Sequence, residues 1–332
     1  MEGYFLGIDV GSVSTNLVVS DAEDKILSKL YLRTGGTPID VLTEGLKELR
    51  RQLGDIRILS VGTTGSGRQL AGVIVGADLV KNEITAHATA SQKMVPDVRT
   101  ILEIGGQDSN IIFLKNGVVT DFAMNTVCAA GTGSFLDRQA ARLNIPIERF
   151  GEYALRSKNP TRIAGRCAVF AESDMIHKQQ TGHSVEDIVA GLCEALVRNY
   201  LSNLAKCKEI AEPVMFQGGV AANVGIVAAF EKALGKRVII PQYYDVMGAY
   251  GAALLARHSY EETGKTTSFY GFGSAYSAFE TRSIECMGCD NRCEVIEVRG
   301  DGAVMARWGD RCGKWSGQKA PAAASAVGGT AS

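Results

Sequence analysis

The pattern of apolar and polar positions near the N-terminus is repeated about a third of the way along the chain. The first copy reads FLGIDVGSVSTNLVVS and the second reads ILEIGGQDSNIIFLKNG. In both, an apolar run ends near an acidic residue, a glycine turn follows, and a second apolar run begins, which is typical of a β-hairpin. The aligned pairs at the turn are Asp9 with Glu103, Gly11 with Gly105, and Ser12 with Gly106. The repeat predicts two copies of one lobe.

Outside the hairpins, strand-like segments alternate with segments of helical spacing. RILSVGTT precedes the helical NEITAHATASQKM, and EPVMFQGGV precedes the helical AANVGIVAAFEKAL. Such alternation predicts α/β lobes whose sheets are covered by helices. The predicted divisions are a first lobe at 1–95, a second lobe at 96–245, a helix at 246–262 that closes the first lobe, a cysteine-rich module at 263–318 and a disordered tail at 319–332.

Composition and charge argue against several classes of protein. The 332 residues carry 35 Lys and Arg against 36 Asp and Glu, and no basic run supplies the cluster that a nucleic-acid-binding protein needs. No apolar stretch reaches membrane-spanning length, and the N-terminus lacks the features of a secretory signal. We therefore expect the eight cysteines to be thiols or metal ligands in a cytoplasmic protein.

The two glycine-tipped hairpins are predicted to face each other across a cleft and to bind a polyphosphate through backbone N–H groups. The carboxylates of Asp9 and Glu103 would then hold Mg²⁺ through water. A further pair, Gly218 and Gly219, follows the strand-like VMFQ and is predicted to abut an adenosine or its ribose. The alternative is that these glycines serve ordinary tight turns. GTTGSGR at 62–68 is equally consistent with a flexible turn and with a ligand contact.

Several motifs resemble those of known proteins. DVGS, EIGGQDS and FQGGVAAN resemble the two phosphate motifs and the adenosine motif of the superfamily of actin, sugar kinases and heat-shock chaperones. More narrowly, NTVCAAGTGSFLDRQA and AGRCAVFAESDMIHKQQ resemble the activator ATPases of 2-hydroxyacyl-CoA dehydratases, a family that includes ATPase subunits of benzoyl-CoA reductases and double-cubane-cluster reductases. The resemblance covers residues 4–258. It implies two duplicated actin-like (ribonuclease H-like) α/β lobes around a nucleotide cleft.

The same resemblance implies an activity. The expected function is an ATP-dependent low-potential electron donor that uses ATP or ADP, Mg²⁺ and one 4Fe-4S cluster bridging a homodimer. The expected partners are an upstream donor such as ferredoxin or flavodoxin and a downstream iron–sulfur enzyme. Two other functions stay open, a metabolite kinase on the same scaffold and a nucleotide-regulated binding module without redox activity.

Cys128 and Cys167 each precede a segment of helical spacing. A helix start favours the thiolate, which is the form that ligates metal, although small buried cysteines fit the pattern as well. The resemblance implies that these two cysteines from each protomer hold the shared cluster, which needs four thiolates. Gly131, Thr132 and Gly133 follow Cys128 closely and are expected to touch the phosphates.

Two residues of the second hairpin are candidates for positioning the attacking water. Gln107 can only orient the water, whereas Asp108 can also accept a proton, and the sequence does not choose between them. Asn110 departs from the family pattern, in which we expect Lys at this position. The substitution alters the charge expected near the phosphates.

A cysteine pattern of C-x2-C-x3-C and a distant fourth cysteine predicts a metal site near the C-terminus. The predicted ligands are Cys286, Cys289, Cys293 and Cys312. Structural zinc and a second iron–sulfur cluster both suit four thiolates, and zinc is favoured by default. The segment EVIEVRGDGAVMARW between the last two cysteines is predicted to form a hairpin.

The other cysteines and the histidines show no ligand spacing. Cys193 and Cys207 lie in a segment of helical periodicity and are predicted to be core residues. His87, His177, His183 and His258 are interpreted as surface or core residues.

Overall fold

The computed structural model describes residues 3–125, 128–165, 167–273 and 278–316, so the predicted tail at 319–332 lies outside the described residues. The strands of the two lobes are β1 (Tyr4–Val10), β2 (Ser14–Ser20), β3 (Ile26–Arg33), β4 (Ile58–Thr64), β5 (Leu79–Val80), β6 (Thr100–Ile104), β7 (Ser109–Lys115), β8 (Val118–Asn125), β9 (Val214–Gln217) and β10 (Val238–Ile239). The helices are α1 (Pro38–Leu53), α2 (Arg68–Val75), α3 (Glu83–Met94), α4 (Gly133–Arg142), α5 (Ile147–Leu155), α6 (Ala168–Gln180), α7 (Val185–Leu204), α8 (Val224–Leu234) and α9 (Met247–Thr263). A third group of strands comprises β11 (Phe279–Glu285), β12 (Glu294–Gly300) and β13 (Ala303–Trp308).

Two five-stranded sheets share one topology. Their strand orders are β3-β2-β1-β4-β5 and β8-β7-β6-β9-β10. In each sheet, the central strand pairs antiparallel with its hairpin partner and parallel with the strand on its other side. Asp9 lies opposite Asn16 in the first sheet, and Glu103 lies opposite Asn110 in the second. The predicted duplication is confirmed.

Helices α3 and α9 contribute to a core that is shared by the two sheets. Its buried residues include Val18 from β2, Ile84 from α3, Ile112 from β7, Met215 from β9 and Leu254 from α9. Each sheet also has a separate core. Since burying one large aliphatic side chain contributes about 2 kcal/mol, this shared core ties the two halves of the chain together.

Helix α9 packs tightly against the first sheet. A Cβ on Gly7 of β1 would overlap the carbonyl of Ala249, and a Cβ on Gly62 of β4 would overlap the carbonyl of Ala252. On its other side, a Cβ on Gly251 would overlap a carbonyl of α3. Small residues on both partners therefore let these backbones approach closely.

Residues next to the helix ends determine where several helices begin and end. The side chains of Asn82, Ser184 and Asn223 accept hydrogen bonds from backbone N–H groups in the first turns of α3, α7 and α8. Such caps satisfy donors that the helix itself leaves unpaired. Gly235 and Gly264 end α8 and α9 in the left-handed conformation, which glycine adopts without steric cost.

The segment after α9 binds back onto the first lobe. Thr267 Oγ1 donates to Asp78 Oδ2 at 2.6 Å, and the N–H of Ser268 donates to Asp78 Oδ1 at 2.7 Å. Phe272 is buried in the core of this lobe. The segment is therefore held on the surface and core of the first lobe.

The third sheet has the order β11-β12-β13 and is antiparallel throughout. The predicted hairpin between Cys293 and Cys312 is confirmed as β12 and β13. Asp301 and Gly302 form its turn with φ of 49° and 82°.

One core prediction is wrong. Cys193 is buried in α7, as predicted, but Cys207 is exposed. Helix α7 ends at Leu204, and Cys207 follows in a turn with φ of 61°. Across the described ranges, no helix has both the length and the apolar character needed to cross a bilayer.

Candidate functional site

The tips of both hairpins, the start of α3 and the start of α9 enclose one cleft. Most of the residues that were predicted to contact nucleotide, and one of the two predicted to position water, lie on its walls. They are Asp9, Gly11, Ser12, Glu103, Gly105, Gly106, Asp108, Gly218 and Gly219. Folding thus brings these segments together with the turn after β9, although they are far apart in the chain.

The remaining predicted residues lie elsewhere. Gln107 is exposed and lines neither this cleft nor the cavity beside it. Gly131 and Thr132 are buried, and Gly133 lines the neighbouring cavity. The contacts of all the predicted residues with nucleotide or water stay predictions.

The hairpin tips offer backbone donors at selected positions. The N–H of Gly11 donates to Ser14 O at 2.8 Å, and the N–H of Gly105 donates to Asp108 O at 3.0 Å. These two N–H groups close their own turns. The N–H groups of the next residues, Ser12 and Gly106, have no hydrogen bond within the described residues. They are the donors that each tip can present to a phosphate.

Five carboxylates line the cleft, those of Asp9, Glu83, Glu103, Asp108 and Asp245, and Asp245 is paired with Lys29 Nζ at 2.6 Å. Burial, reinforced by the charges of Glu83 and Asp108, raises the pKa of Asp9 to about 7. Burial also raises the pKa of Glu83 and Asp108, and it raises the pKa of Glu103 well above its ordinary value. A divalent cation would favour the ionised forms of such crowded carboxylates.

Asn110 links two of these carboxylates. Its amide nitrogen donates to Glu103 Oε2 at 2.8 Å and approaches Glu83 Oε1 at 3.4 Å. A neutral amide leaves the negative charge of the cluster unbalanced at this position. The buried Oδ1 atoms of Asn16 and Asn110 have no hydrogen-bond partner in the described part of the chain. Unpaired acceptors beside carboxylates fit the hydration shell of Mg²⁺.

Two glycines keep space around these carboxylates. Gly218 has φ of 88°, and a Cβ on it would overlap the carbonyl of Ile104 and lie 2.8 Å from Glu103 Oε1. A Cβ on Gly248 would overlap Asp9 Oδ2. A side chain at either position would displace a carboxylate from the cleft.

A second cavity adjoins the cleft. Tyr31, Gly105, Gly106 and Gly219 line both. The walls that belong to the second cavity alone include Leu136, Ile147 and Val220. Apolar walls with glycine backbone beside them can accept a flat ring system.

Cys128 and Cys167 each take the N-cap position of a helical segment, as predicted. Cys128 precedes the 3-10 turn Ala129–Gly131, and Cys167 precedes α6. Asn199 of α7 connects the two cysteine segments. Its Nδ2 donates to Gly165 O at 2.6 Å and lies 3.9 Å from Cys128 Sγ.

The Cys128 segment is also bonded to the second hairpin. The N–H of Gly133 donates to Gly105 O at 2.9 Å, and the N–H of Ser134 donates to Gly106 O at 2.8 Å. The hydroxyl of Ser134 donates to the same Gly106 carbonyl. Only a few residues therefore separate the glycine turn from Cys128.

The C-terminal cysteines lie around β12. The N–H of Cys286 donates to Cys293 O at 2.8 Å, and Trp315 Nε1 donates to Cys286 Sγ at 3.2 Å. Cys289 and Cys312 are exposed. Over the described ranges, no group of three or more His, Cys, Asp or Glu side chains is arranged to hold a metal ion. The metal site of these four cysteines stays a prediction.

Sequence reasoning missed several residues of the cleft. Glu83 is the first residue of α3, and His87 lies one turn further along the same helix. His87 is buried, and burial lowers its pKa to about 4. The available signal was Asn82, a capping residue that places an acidic side chain at a helix start after a strand. Nothing local indicated that this helix start faces the hairpins.

The sequence and fold have known relatives. Residues 6–256 match the BadF/BadG/BcrA/BcrD ATPase family. The chain is 35% identical over 266 residues to the 2-hydroxyisocaproyl-CoA dehydratase activator of Clostridioides difficile, which covers 79% of this chain and 98% of that protein. It is 35% identical over 260 residues to the (R)-2-hydroxyglutaryl-CoA dehydratase activating ATPase of Acidaminococcus fermentans, with 77% and 98% covered.

A solved structure of one such relative has a similar fold. The activator of the 2-hydroxyisocaproyl-CoA dehydratase from Clostridium difficile with bound ADPNP has a TM-score of 0.73 and 33% identity, and covers 79% of this chain and 97% of that chain. This similarity confirms the predicted actin-like lobes, whereas the third sheet lies beyond the matched residues. The chain belongs to the BadF/BadG/BcrA/BcrD ATPase family and is an ATPase.

Proposed function

We propose that this ATPase is a reductive activator. In this proposal it couples ATP hydrolysis to electron transfer from a 4Fe-4S cluster, shared by two copies of the chain, into an iron–sulfur enzyme of the 2-hydroxyacyl-CoA dehydratase or double-cubane-cluster type. Relatives named as dehydratase activators support it. The observation that carries it is the hydrogen-bonded connection from the Gly105–Gly106 turn to the segment of Cys128.

Different residues of the cleft would bind the Mg²⁺, the phosphates and the adenosine of Mg²⁺–ATP. Asp9 and Glu103 would hold Mg²⁺ through water, because their ionised forms need a cation in this buried cluster. The N–H groups of Ser12 and Gly106 would donate to phosphate oxygens from opposite sides. Gly218 and Gly219 would abut the adenosine, whose base would lie against the apolar wall that Leu136, Ile147 and Val220 give the second cavity.

Asp108 is better placed than Gln107 to act on the attacking water. Asp108 lines the cleft, whereas Gln107 is exposed outside it. Burial raises the pKa of Asp108, and a carboxylate with a raised pKa is a better proton acceptor. We therefore assign the role of positioning water and accepting its proton to Asp108.

Cys128 and Cys167 fit as ligands of the shared cluster. Both thiols are partly accessible, and both lie at the N-cap of a helical segment. Two thiols per chain supply half of the ligands of a 4Fe-4S cluster, so a second copy related by a two-fold axis completes the set. When bound, the cluster supplies one-electron chemistry.

Backbone hydrogen bonds would couple ATP hydrolysis in the cleft to the cysteine segments. A change in the Gly105–Gly106 turn on hydrolysis would move Gly133 and Ser134, because their N–H groups are bonded to that turn. Cys128 would follow, and Asn199 would carry the displacement to the Cys167 segment. Such a shift would alter the docking surface for a downstream enzyme and for a donor such as ferredoxin or flavodoxin.

Anaerobic purification tests this proposal. We expect brown protein with about four iron and four sulfide per dimer, and Cys128→Ser or Cys167→Ser should remove this iron, whereas Cys193→Ser should not. Reduction of the downstream enzyme should require ATP and stop with a non-hydrolysable analogue. A colourless protein without iron, or electron transfer that proceeds without hydrolysis, would contradict it and would favour a kinase or a redox-inactive binding module.

The C-terminal cysteines are proposed as an independent metal site in a cytoplasmic protein. Metal analysis of a Cys128→Ser, Cys167→Ser double variant isolates this site. Zinc or iron that remains in the double variant and is lost when Cys286 is also changed to Ser would support the proposed site. A double variant that contains no metal would exclude it.

A further inference from the structure

A buried chain of polar side chains links α3 to the end of β9. Ser91 Oγ donates to Gln217 Oε1 at 2.9 Å, and Gln217 Nε2 lies 2.8 Å from His87 Nδ1. Ser91 and Gln217 are fully buried, and His87 is only 8% exposed. Polar groups in such surroundings are retained only when they are paired, since an unpaired one costs about 1–3 kcal/mol.

The directions of these hydrogen bonds define the state of the imidazole. Because the oxygen of the Gln217 amide accepts from Ser91, its nitrogen faces His87 and donates to Nδ1. An Nδ1 that accepts a hydrogen bond carries no proton. The neutral ring must then carry its proton on Nε2, as an N–H donor.

The donor is directed towards the cleft. His87 lines the cleft together with Asp9, and its Nε2 has no hydrogen-bond partner among the residues that the structure describes. A Cβ on Gly248 would overlap Asp9 Oδ2 and lie 3.4 Å from His87 Cε1. The absence of a side chain at Gly248 therefore leaves the imidazole and the carboxylate next to each other.

We propose that His87 is a positioning residue of the ATPase, whose Nε2–H is held by Gln217 and Ser91 and donates a hydrogen bond to water beside Asp9. A neutral donor can orient a water molecule in the shell of a cation without competing with that cation for the carboxylate. The inference rests on the proposed binding of Mg²⁺–nucleotide beside Asp9.

The location of Gln217 connects the orientation of His87 to the proposed adenosine site. Gln217 ends β9 in the second lobe and directly precedes Gly218 and Gly219, whereas Ser91 and His87 belong to α3. The orientation of His87 therefore depends on the strand that carries the adenosine-side turn. When the Gly218–Gly219 turn is correctly placed, Gln217 holds the Nε2–H of His87 towards the cleft.

Steady-state ATPase kinetics test this inference. We expect His87→Ala to lower kcat roughly tenfold to a hundredfold, because a hydrogen bond to a charged or polarised group is lost, with KM for Mg²⁺–ATP changed by less than about twofold. His87→Gln keeps an N–H donor and should recover part of the loss. His258→Ala, at an exposed histidine of α9, is the matched control and should leave kcat unchanged.

A second measurement reads the state of the imidazole in the parent protein and uses a variant only for assignment. Nitrogen NMR of the ¹⁵N-histidine-labelled parent protein, with His87 assigned by comparison with His87→Gln, should show an unprotonated Nδ1 and a protonated Nε2. A protonated Nδ1, a kcat for His87→Ala within about twofold of the parent, or equal losses for His87→Ala and His87→Gln would overturn the proposal. Unchanged nucleotide binding by Asp9→Asn would instead contradict the proposed placement of the nucleotide, so the two failures are distinguishable.

Discussion

At the scale of single residues, the cleft carries negative charge that its own side chains do not balance. Asp9, Glu83, Glu103 and Asp108 lie together, and the linking residue Asn110 is neutral. In the folded protein, burial holds the pKa of Asp9 near 7, above its ordinary value of 3.8. Between these values the folded state binds the proton more tightly than the unfolded state, so this contribution to stability is present at low pH and is lost as pH rises towards 7.

Asp9→Asn should therefore stabilise the protein without bound cation most at pH 8, and less at pH 5, which lies between the ordinary pKa of Asp9 and its pKa in the folded protein. We expect a gain in the free energy of unfolding of about 1–2 kcal/mol at pH 8, since partial exposure to solvent screens the effect. Thermal unfolding at both pH values, with and without Mg²⁺–ADP, measures it. Stabilisation by Mg²⁺–ADP should be lost in the variant, and an equal effect of the substitution at both pH values would contradict the argument.

At the scale of elements, α7 organises the cysteine segments. Asn199 lies on this helix, is 3% exposed and reaches Gly165 O and Cys128 Sγ with one amide nitrogen. Its Oδ1 accepts from Asn203 Nδ2 one turn further along. The 3-10 turn after Cys128 packs against the same side chain, because a Cβ on Gly131 would lie 2.8 Å from Asn199 Oδ1. The helix thus sets the spacing of two segments that are distant in sequence.

Asn199→Ala should loosen both cysteine segments while leaving the nucleotide cleft intact. We expect lower iron retention after anaerobic purification, a loss of about 1–3 kcal/mol in stability because Gly165 O loses its partner, and nearly unchanged nucleotide binding. Iron analysis, denaturant unfolding and titration with a fluorescent nucleotide measure these three quantities. Asn159→Ala, at an exposed loop position, serves as the control, and full iron retention by Asn199→Ala would refute the assigned role.

At the scale of the whole molecule, the two lobes share a core through α3 and α9, whereas the surface beside Cys167 offers apolar groups to a partner. Val169 and Phe170, in the first turn of α6 after Cys167, are 69% and 68% exposed. Large apolar side chains this exposed are commonly covered in an interface. A second copy of the chain that shares a cluster at Cys167 would cover them.

Phe170→Glu should therefore weaken the proposed dimer. We expect a shift from dimer to monomer at micromolar concentration in sedimentation velocity under anaerobic conditions, because a charge would be buried without a partner. Leu155→Glu changes an equally apolar residue that is 57% exposed at the end of α5 and should leave the dimer intact. If Phe170→Glu sediments like the parent protein, α6 does not form the interface.

Much of this architecture was predictable because it is local. The two hairpins, β4, α3, α8, α9 and the β12–β13 hairpin follow from apolar periodicity, caps and turn residues within short windows. The failure at Cys207 has the same origin, since helical periodicity continues past Leu204 although the chain turns there. Cysteine spacing near the C-terminus indicated a metal site but contains no information on how the four sulfurs are placed.

The sequence by itself determined the duplication, the acidic glycine turns and the helix-capping positions of Cys128 and Cys167, because each is a property of neighbouring residues. Only the tertiary structure decided which side chains join them. Glu83 and His87 enter the cleft because α3 packs between the sheets, and Asn199 meets both cysteine segments because α7 runs beside them. Such meetings depend on packing between elements that are distant in the chain, and no local pattern encodes them.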